Sequence, residues 1–137
     1  MRGTQTHRPT GTIGVLERKP FLAPELQRQC EVEQIAIRSL RHVDDLIALA
    51  VPRVCILAIE SDQNAVFRFI REAKCDSHTA CVVCIDDRQD DAVEWTLREI
   101  GAVSVIDRFI RGDELAAICR KLLKTLIQRV QKHESHV

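Results

Sequence analysis

The chain has 137 residues, of which 20 are basic and 20 are acidic, so its formal net charge is zero. A chain of this length forms one domain with a real core, and its balanced charge provides no field that would attract nucleic acid or an anionic membrane. No apolar run has the pattern of a signal peptide or approaches the roughly 20 residues that span a bilayer, so we expect a cytoplasmic protein.

Strand and helix patterns alternate along the chain. Residues 52–59 form the clearest strand, because an almost uncharged run of this length is typical of a strand that is buried on both faces of a parallel sheet. The predicted elements are, in order, strand 12–16, helix 24–30, strand 34–38, helix 42–50, strand 52–59, helix 63–74, strand 81–85, helix 92–100, strand 103–106 and helix 113–132. Residues 1–10 are polar and predict a disordered tail, residues 133–137 form a second tail, and one domain remains over 11–132.

The alternation of five strands with five helices through short connections predicts an α/β fold. We infer a parallel sheet with right-handed crossovers and with helices on both faces, which is an open three-layer sandwich. A closed barrel of eight strands needs about 250 residues, so the length of the chain excludes it.

Carboxylates follow several predicted strands, at the edge where open α/β sheets carry their sites. The candidates are Glu17, Glu60, Asp86, Asp87 and Asp107. A group of this kind is able to bind a hard cation. The alternative, which we favour, is a set of solvated loop carboxylates that are partly paired with Arg18 and Arg108. We therefore predict no metal site.

The sequence offers little support for other chemistry. The six cysteines are expected to be buried thiols, because they lie in strand-like runs or in and at the ends of helical ones. Cys81 and Cys84 have the spacing of a zinc or redox half-site, but residues three apart on a strand point to opposite faces. Residues 17–25 contain no glycine and two prolines, which argues against a phosphate-binding loop for a nucleotide or flavin. We predict neither an enzyme nor a bound cofactor.

Two stretches, VPRVCILAIE at 51–60 and EIGAVSVIDRFI at 99–110, resemble the receiver domains of two-component response regulators. The resemblance extends over roughly residues 12–129 and includes the spacing of the elements. It implies a three-layer (βα)5 sandwich with a flavodoxin-like strand order of 2-1-3-4-5. In that family a phosphoryl group is transferred to an Asp at the end of strand three, and Mg²⁺ is held by this Asp and an acidic pair at the end of strand one.

The motif positions of this family carry other residues here. By alignment the acceptor position is Ala58, whose methyl group neither attacks phosphorus nor binds a metal, and the acidic pair becomes Glu17 and Arg18. Asp86 replaces the Ser or Thr that ends strand four, and Arg108 replaces the Lys after strand five. Since phosphoryl transfer to a carboxylate needs that group and a divalent cation, the resemblance implies a degenerate receiver, or pseudo-receiver.

Three functions remain open. The one we favour is a phosphorylation-independent module of signal transduction that binds a protein partner or forms a homodimer. The second is an active receiver that uses a displaced carboxylate, Glu60 or Asp62, and the third is a flavodoxin-like domain that binds a small molecule. If the chain is a phosphorylation-independent module, we expect the side chain of Arg108 to lean toward Asp86 or Glu17, because its guanidinium has no phosphoryl group to bind.

The last predicted helix carries two apolar stripes. One is expected to dock on the sheet and consists of Leu115, Ile118, Cys119, Leu122 and Leu126. Leu123, Ile127 and Val130 form the second stripe, which is turned roughly 90° from the first at the helical period. Because we expect one sheet face to cover only one of the two stripes, we predict that this second stripe contacts another chain or a downstream segment.

The fourth predicted helix carries the single tryptophan of the chain. Val93, Leu97 and Ile100 form its predicted core stripe, and Trp95 lies almost opposite, toward solvent. In the receiver family, helix four, strand five and helix five form the usual dimerisation and partner surface. The resemblance therefore implies that Trp95 anchors a protein contact there, whereas the alternative is that Trp95 folds back over a neighbouring Arg.

Overall fold

The computed structural model describes residues 11–59, 63–86 and 91–134, with side chains placed up to residue 129. Strands and helices alternate as predicted. They are β1 Gly11–Leu16, α1 Leu22–Gln29, β2 Ile35–Leu40, α2 Asp44–Ile47, β3 Arg53–Ala58, α3 Gln63–Ala73, β4 Thr79–Ile85, α4 Asp91–Ile100, β5 Ser104–Asp107 and α5 Gly112–Glu134. The predicted tails 1–10 and 135–137 lie outside the described residues, while residues 133 and 134 continue α5.

The five strands form one parallel sheet in the order β2-β1-β3-β4-β5. This is the fold class and the strand order that the resemblance implied. Every residue of β1 and of β4 is buried, because crossover helices cover both faces of a parallel sheet. The chain runs from β1 outward to β2 and then returns to β3 on the other side of β1. The carboxyl ends of β1 and β3 therefore flank the switch point, where folds of this kind place their sites.

Alternate side chains of each strand contribute to two separate cores. Helices α1 and α5 cover one face, where Leu26, Ile56 and Leu115 are fully buried. Helices α2, α3 and α4 cover the other. Cys84 belongs to the first core and Cys81 to the second, which confirms that these thiols point to opposite faces. Five of the six free cysteines are buried, but Cys75, in the turn after α3, is exposed and corrects the expectation for that residue.

Helix α2 is one turn long, so the prediction of a helix over 42–50 was wrong. The guanidinium of Arg53 explains its end, because Nη1 donates to the carbonyl oxygens of Leu46, Ile47 and Leu49 at 3.0, 2.9 and 3.1 Å. Carbonyls at a helix end need such donors. Gly14 of β1 lets the segment that contains Leu46 and Leu49 pack close to the sheet. A side chain at position 14 would collide with Leu49.

Helix α4 ends at Gly101, as predicted. Its φ of +143° is unfavourable for a residue with a side chain, and the amides of Gly101 and Ala102 donate to the carbonyl of Leu97 at 3.2 and 3.0 Å. Leu97 is buried, but Val93 is 40% exposed, so its assignment to the core was wrong. Helix α4 packs on α3 and on the short edge strand β5, and Leu97 is its fully buried residue among those described.

Helix α5 buries more of its circumference than predicted. Leu123 is only 4% exposed, and a Cβ on Gly11 would lie 2.6 Å from its Cδ2 atom. Leu123 is therefore a core residue, and its assignment to a partner interface was wrong. Helix α1 packs beside α5, and Arg120 Nη2 joins the two regions by donating to the carbonyl of Gln29 at 2.9 Å. Helix α1 thus packs against a part of the α5 surface that lies beside the sheet.

The remainder of the second stripe has a mixed outcome. Ile127 is half-buried, and the side chain of Val130 lies outside the described residues.

None of the helices in the described ranges combines the length and the hydrophobicity that a membrane span needs.

Candidate functional site

Two cavities open at the carboxyl ends of β1 and β3 and share Glu17, Arg18 and Ala58 in their walls. The first, which we call the α2–α3 cavity, has a volume of about 430 Å³ and extends toward residues 41–44 and the start of α3. The second, the α1–β5 cavity, has a volume of about 370 Å³ and extends toward the start of α1, Asp86 and Arg108. The switch point of the sheet is therefore a divided crevice.

Ala58 lies at the wall between the two cavities. It is the last residue of β3, it is half-buried, and it pairs with Cys84 of the neighbouring strand. Its methyl group provides neither a nucleophile nor a metal ligand. The residue at the centre of the crevice is therefore chemically inert.

Glu17 lies beside Ala58 and is only 7% exposed. Its carboxylate accepts hydrogen bonds from the backbone amides of Phe21, Leu22 and Ala23 at 3.0 to 3.1 Å. These amides begin α1, whose N-cap residue Phe21 makes no side-chain cap. A carboxylate satisfies such amides and interacts favourably with the positive end of the helix. The three amides therefore hold the Glu17 carboxylate at the start of α1.

This capping role was not foreseen from the sequence. The available signal was the position of Glu17 a few residues ahead of α1, combined with the absence of Ser, Thr, Asp or Asn at the N-cap position.

Arg108 and Asp86 face each other across the mouth of the α1–β5 cavity. Arg108 Nη1 lies 3.5 Å from Asp86 Oδ1, which confirms the expected direction of Arg108. Both side chains are largely exposed, so the pair contributes at most about 1 kcal/mol to stability. The guanidinium also lies over the ring of Phe109, with Cζ 5.7 Å from the ring centroid.

Of the other predicted carboxylates, Asp107 is the one that lies within the described residues. Asp107 Oδ1 accepts a hydrogen bond from the amide of Phe109 at 2.8 Å and so stabilises the turn after β5. Glu60, Asp62 and Asp87 lie outside the described residues. Across 11–59, 63–86 and 91–129, no three His, Cys, Asp or Glu side chains form a group that could hold a metal ion.

Cys84 is the thiol of the α1–β5 cavity. Burial raises its pKa to about 12, and the charges of Asp86 and Asp107 act in the same direction. Because the thiolate is the reactive form, Cys84 is a poor nucleophile at neutral pH. The crevice therefore has no activated cysteine at this position.

Large exposed aromatic side chains lie on the side of the molecule formed by α4 and β5. Trp95 is 64% exposed, which confirms its predicted direction, and Phe109, which sequence reasoning did not single out, is 79% exposed. Trp95 lies on α4 and Phe109 follows the end of β5. Because tryptophan is enriched among the residues that dominate interface energies, Trp95 marks a candidate contact surface.

No protein-family model and no curated protein sequence matches the chain. Several solved structures have the same fold. A response regulator from Thermotoga maritima has a TM-score of 0.70 at 14% identity, over 83% of this chain and 98% of that one. An orphan response regulator of H. pylori has a TM-score of 0.69 at 17% identity, over 85% and 99%. The adenylate cyclase from Rhodopirellula baltica has a TM-score of 0.71 at 11% identity, over 90% and 94%.

The chain thus has the fold of response regulator receiver domains. Identities at this level establish the fold alone, and a protein named as a cyclase shares it with response regulators. The function must therefore be argued from the residues of the crevice and of the surface.

Proposed function

We propose that this chain is a degenerate receiver domain that acts in signal transduction as a protein-interaction or dimerisation module, without phosphorylation of its own. The observation that carries this proposal is Ala58. It ends β3 at the centre of the crevice, where the receiver resemblance places the Asp that accepts the phosphoryl group.

The neighbours of Ala58 support the same function. Phosphoryl transfer to a carboxylate needs a divalent cation to neutralise the developing charge. Glu17 uses its carboxylate to cap α1, and Arg18 brings a positive charge to the position of the other acidic ligand. Arg108 faces Asp86, which is the arrangement expected of a guanidinium that has lost its phosphoryl partner.

The contact surface that we propose consists of α4, β5 and the adjoining side of α5, with Trp95 as its anchor. Exposure of this large aromatic supports the assignment, because tryptophan is enriched among the residues that dominate interface energies. Ile127 and Val130 remain candidates at the end of α5, whereas Leu123 belongs to the core. The partner is a protein or a second copy of the chain in the cytoplasm, with no role for nucleic acid, membrane or enzymatic turnover.

Treatment with acetyl phosphate and Mg²⁺, followed by intact mass measurement, tests the first part of the proposal. We expect no mass increase of a phosphoryl group. An adduct would overturn phosphorylation independence, and repeating the treatment on the double variant Glu60→Gln, Asp62→Asn would show whether a displaced carboxylate had accepted it.

The variant Ala58→Asp provides a matched control for the same experiment. Because Arg18 still replaces a metal ligand and Glu17 still caps α1, we expect this variant to remain unmodified. An adduct in Ala58→Asp alone would mean that the missing acceptor by itself makes the crevice degenerate.

A further inference from the structure

The segment between β2 and β3 carries little secondary structure of its own. We call residues 41–50 the strap, because they lead from the end of β2 toward the start of β3 and include the single turn of α2. Leu46 is the fully buried residue of α2, whereas Ile47 is 62% exposed. A helix of one turn is too short to be stable by itself in water. The strap therefore depends on the contacts that tie it to the rest of the domain.

One set of these contacts is made by the side chain of Arg53, at the start of β3. Its Nη1 atom donates to three carbonyl oxygens of the strap at 2.9 to 3.1 Å. The guanidinium is also fixed from the other side, since Nε donates to Thr79 Oγ1 at 2.9 Å and Nη2 lies 3.6 Å from Asp76 Oδ2. Arg53 is thus anchored to β4 and to the turn before it, and it holds the strap as a clasp.

The second set of contacts joins Leu46 and Leu49 to Gly14 of β1. A Cβ atom on Gly14 would lie 3.2 Å from Leu46 Cδ2 and would collide with Leu49. The amides of Asp45, Leu46 and Leu49 donate to carbonyls three residues earlier in the strap. Local hydrogen bonds of this kind do not tie the strap to the rest of the domain.

The strands on either side of the strap are tied more extensively. Strand β2 pairs with β1 along its length, and β3 pairs with both β1 and β4. The strap is therefore fixed in the sheet at its two ends, while the described contacts of its middle are mainly those of one guanidinium and two leucines. Because local stability follows the extent of such contacts, the strap should open at a lower free energy than the sheet.

We propose that the strap opens from the sheet as a unit while the rest of the domain stays folded, with Arg53 as the clasp that closes it. Residues 41–44 of the strap line the α2–α3 cavity together with the buried side chains of Leu16 and Val66. Opening of the strap uncovers these two side chains, so the strap controls access to the cavity. This device goes beyond the proposed function and does not depend on it, because it needs neither a phosphoryl acceptor nor a protein contact.

Native-state hydrogen exchange of the full chain in low concentrations of urea tests the opening. We expect the amides of Leu46 and Leu49 to exchange with little dependence on urea, because a local opening exposes little surface, and the strand amides to exchange with a strong dependence. Arg53→Lys should accelerate the exchange of the strap amides roughly tenfold, because an ammonium does not reproduce the guanidinium fork. Equal urea dependence of the strap and strand amides would overturn the proposal.

Leu97→Ala is the matched control for this experiment, because Leu97 is buried in the same core but lies outside the strap. It lowers the stability of the whole domain, so it should accelerate exchange of the strand amides and leave that of the strap amides unchanged. Equal acceleration of both groups would mean that the strap opens only when the domain unfolds, which contradicts the proposal.

Thiol labelling measures access to the cavity directly. In a Cys75→Ser background, Val66→Cys places a thiol in the cavity lining, and Ile70→Cys places one on the same helix in the core outside that lining. The thiol at position 66 should react with a disulfide reagent faster than the thiol at position 70, and Leu97→Ala should accelerate only the reaction at position 70. Far-ultraviolet circular dichroism would verify that each variant is folded. Equal rates at the two positions would overturn the proposal.

Discussion

At the residue scale, the hydrogen bonds of Glu17 limit the chemistry that the crevice offers. It is a buried carboxylate that accepts hydrogen bonds from three amides at the start of α1. Ala58, beside it in the wall of both cavities, contributes only a methyl group. Ala58 therefore offers no reactive group, and the carboxylate of Glu17 stabilises a helix end.

The variant Glu17→Gln tests this structural role. The amide keeps one oxygen acceptor, but its NH₂ group would face backbone donors and the favourable charge at the helix end would be lost. We expect the free energy of unfolding to fall by about 1–2 kcal/mol in urea titrations. The control Glu31→Gln changes an exposed residue and should alter stability by less than about 0.5 kcal/mol; equal values for the two variants would contradict the cap.

Trp95 allows a second test at this scale. Because its side chain is largely exposed, Trp95→Ala should leave the free energy of unfolding within about 0.5 kcal/mol of the parent. Self-association or partner binding should weaken, as measured by sedimentation. The neighbouring Leu97 is buried, so Leu97→Ala should instead lose about 2–5 kcal/mol of stability. A large loss of stability in Trp95→Ala with intact association would mean that this residue anchors no contact.

At the element scale, contacts from distant parts of the chain decide where α2 ends and what α5 buries. Arg53 of β3 binds the carbonyls at the end of α2, although the apolar spacing of that segment predicts a longer helix. In α5, Leu123 packs against Gly11 of β1 and is buried. Helical periodicity identifies the apolar positions of a helix, but it does not specify how much of the helix circumference the neighbouring elements bury.

Paired variants of α5 separate its core from its candidate contact surface. Leu123→Glu buries a carboxylate and should cost more than about 3 kcal/mol or unfold the domain. Ile127 is only half-buried, so Ile127→Glu should change stability by less than about 1 kcal/mol while shifting any dimer toward monomer in sedimentation. Lys124→Glu, on the exposed side of the same helix, is the control for the added charge; an unchanged mass in Ile127→Glu would exclude this residue from a dimer contact.

At the scale of the whole molecule, the sheet separates two cores, and both contain thiols. Burial raises the pKa of Cys55, Cys84 and Cys119 to about 12, and it also raises the pKa of Cys81. Cys75 is exposed. We expect one thiol to react rapidly with a disulfide reagent in the native protein at mildly alkaline pH, and Cys75→Ser to abolish this phase. Rapid reaction of several thiols would contradict the burial of the two cores.

The same thiols predict a loss of stability at alkaline pH. The ordinary thiol pKa is 9.0, whereas the folded values for Cys55, Cys84 and Cys119 are about 12. The unfolded chain therefore releases protons that the folded chain retains, and the free energy of unfolding falls as pH rises from about 9 toward 12. Urea titrations across this range would measure the slope, which should be smaller in Cys119→Ala; equal slopes would contradict the raised pKa of that thiol.

The sequence by itself determined the order of strands and helices, the two-sided burial of β3 and β4, the opposite faces of Cys81 and Cys84, the end of α4 at Gly101 and the outward direction of Trp95. These features follow from local periodicity and from backbone sterics. The strand order came from the receiver resemblance, and the inert Ala58 from alignment to it. The facing of Arg108 and Asp86 was also anticipated in this way.

Only the tertiary structure decided the length of α2, the burial of Leu123, the exposure of Val93 and the α2–α3 cavity. Each depends on atoms that are distant in sequence: Arg53 binds the carbonyls of α2, Gly11 lies against Leu123, and α4 packs on α3 and on the edge strand β5 with Leu97 buried and Val93 exposed. A sequence pattern specifies which side chains prefer to be buried. The neighbours that bury them, and the spaces left between those neighbours, arise only when the elements pack together.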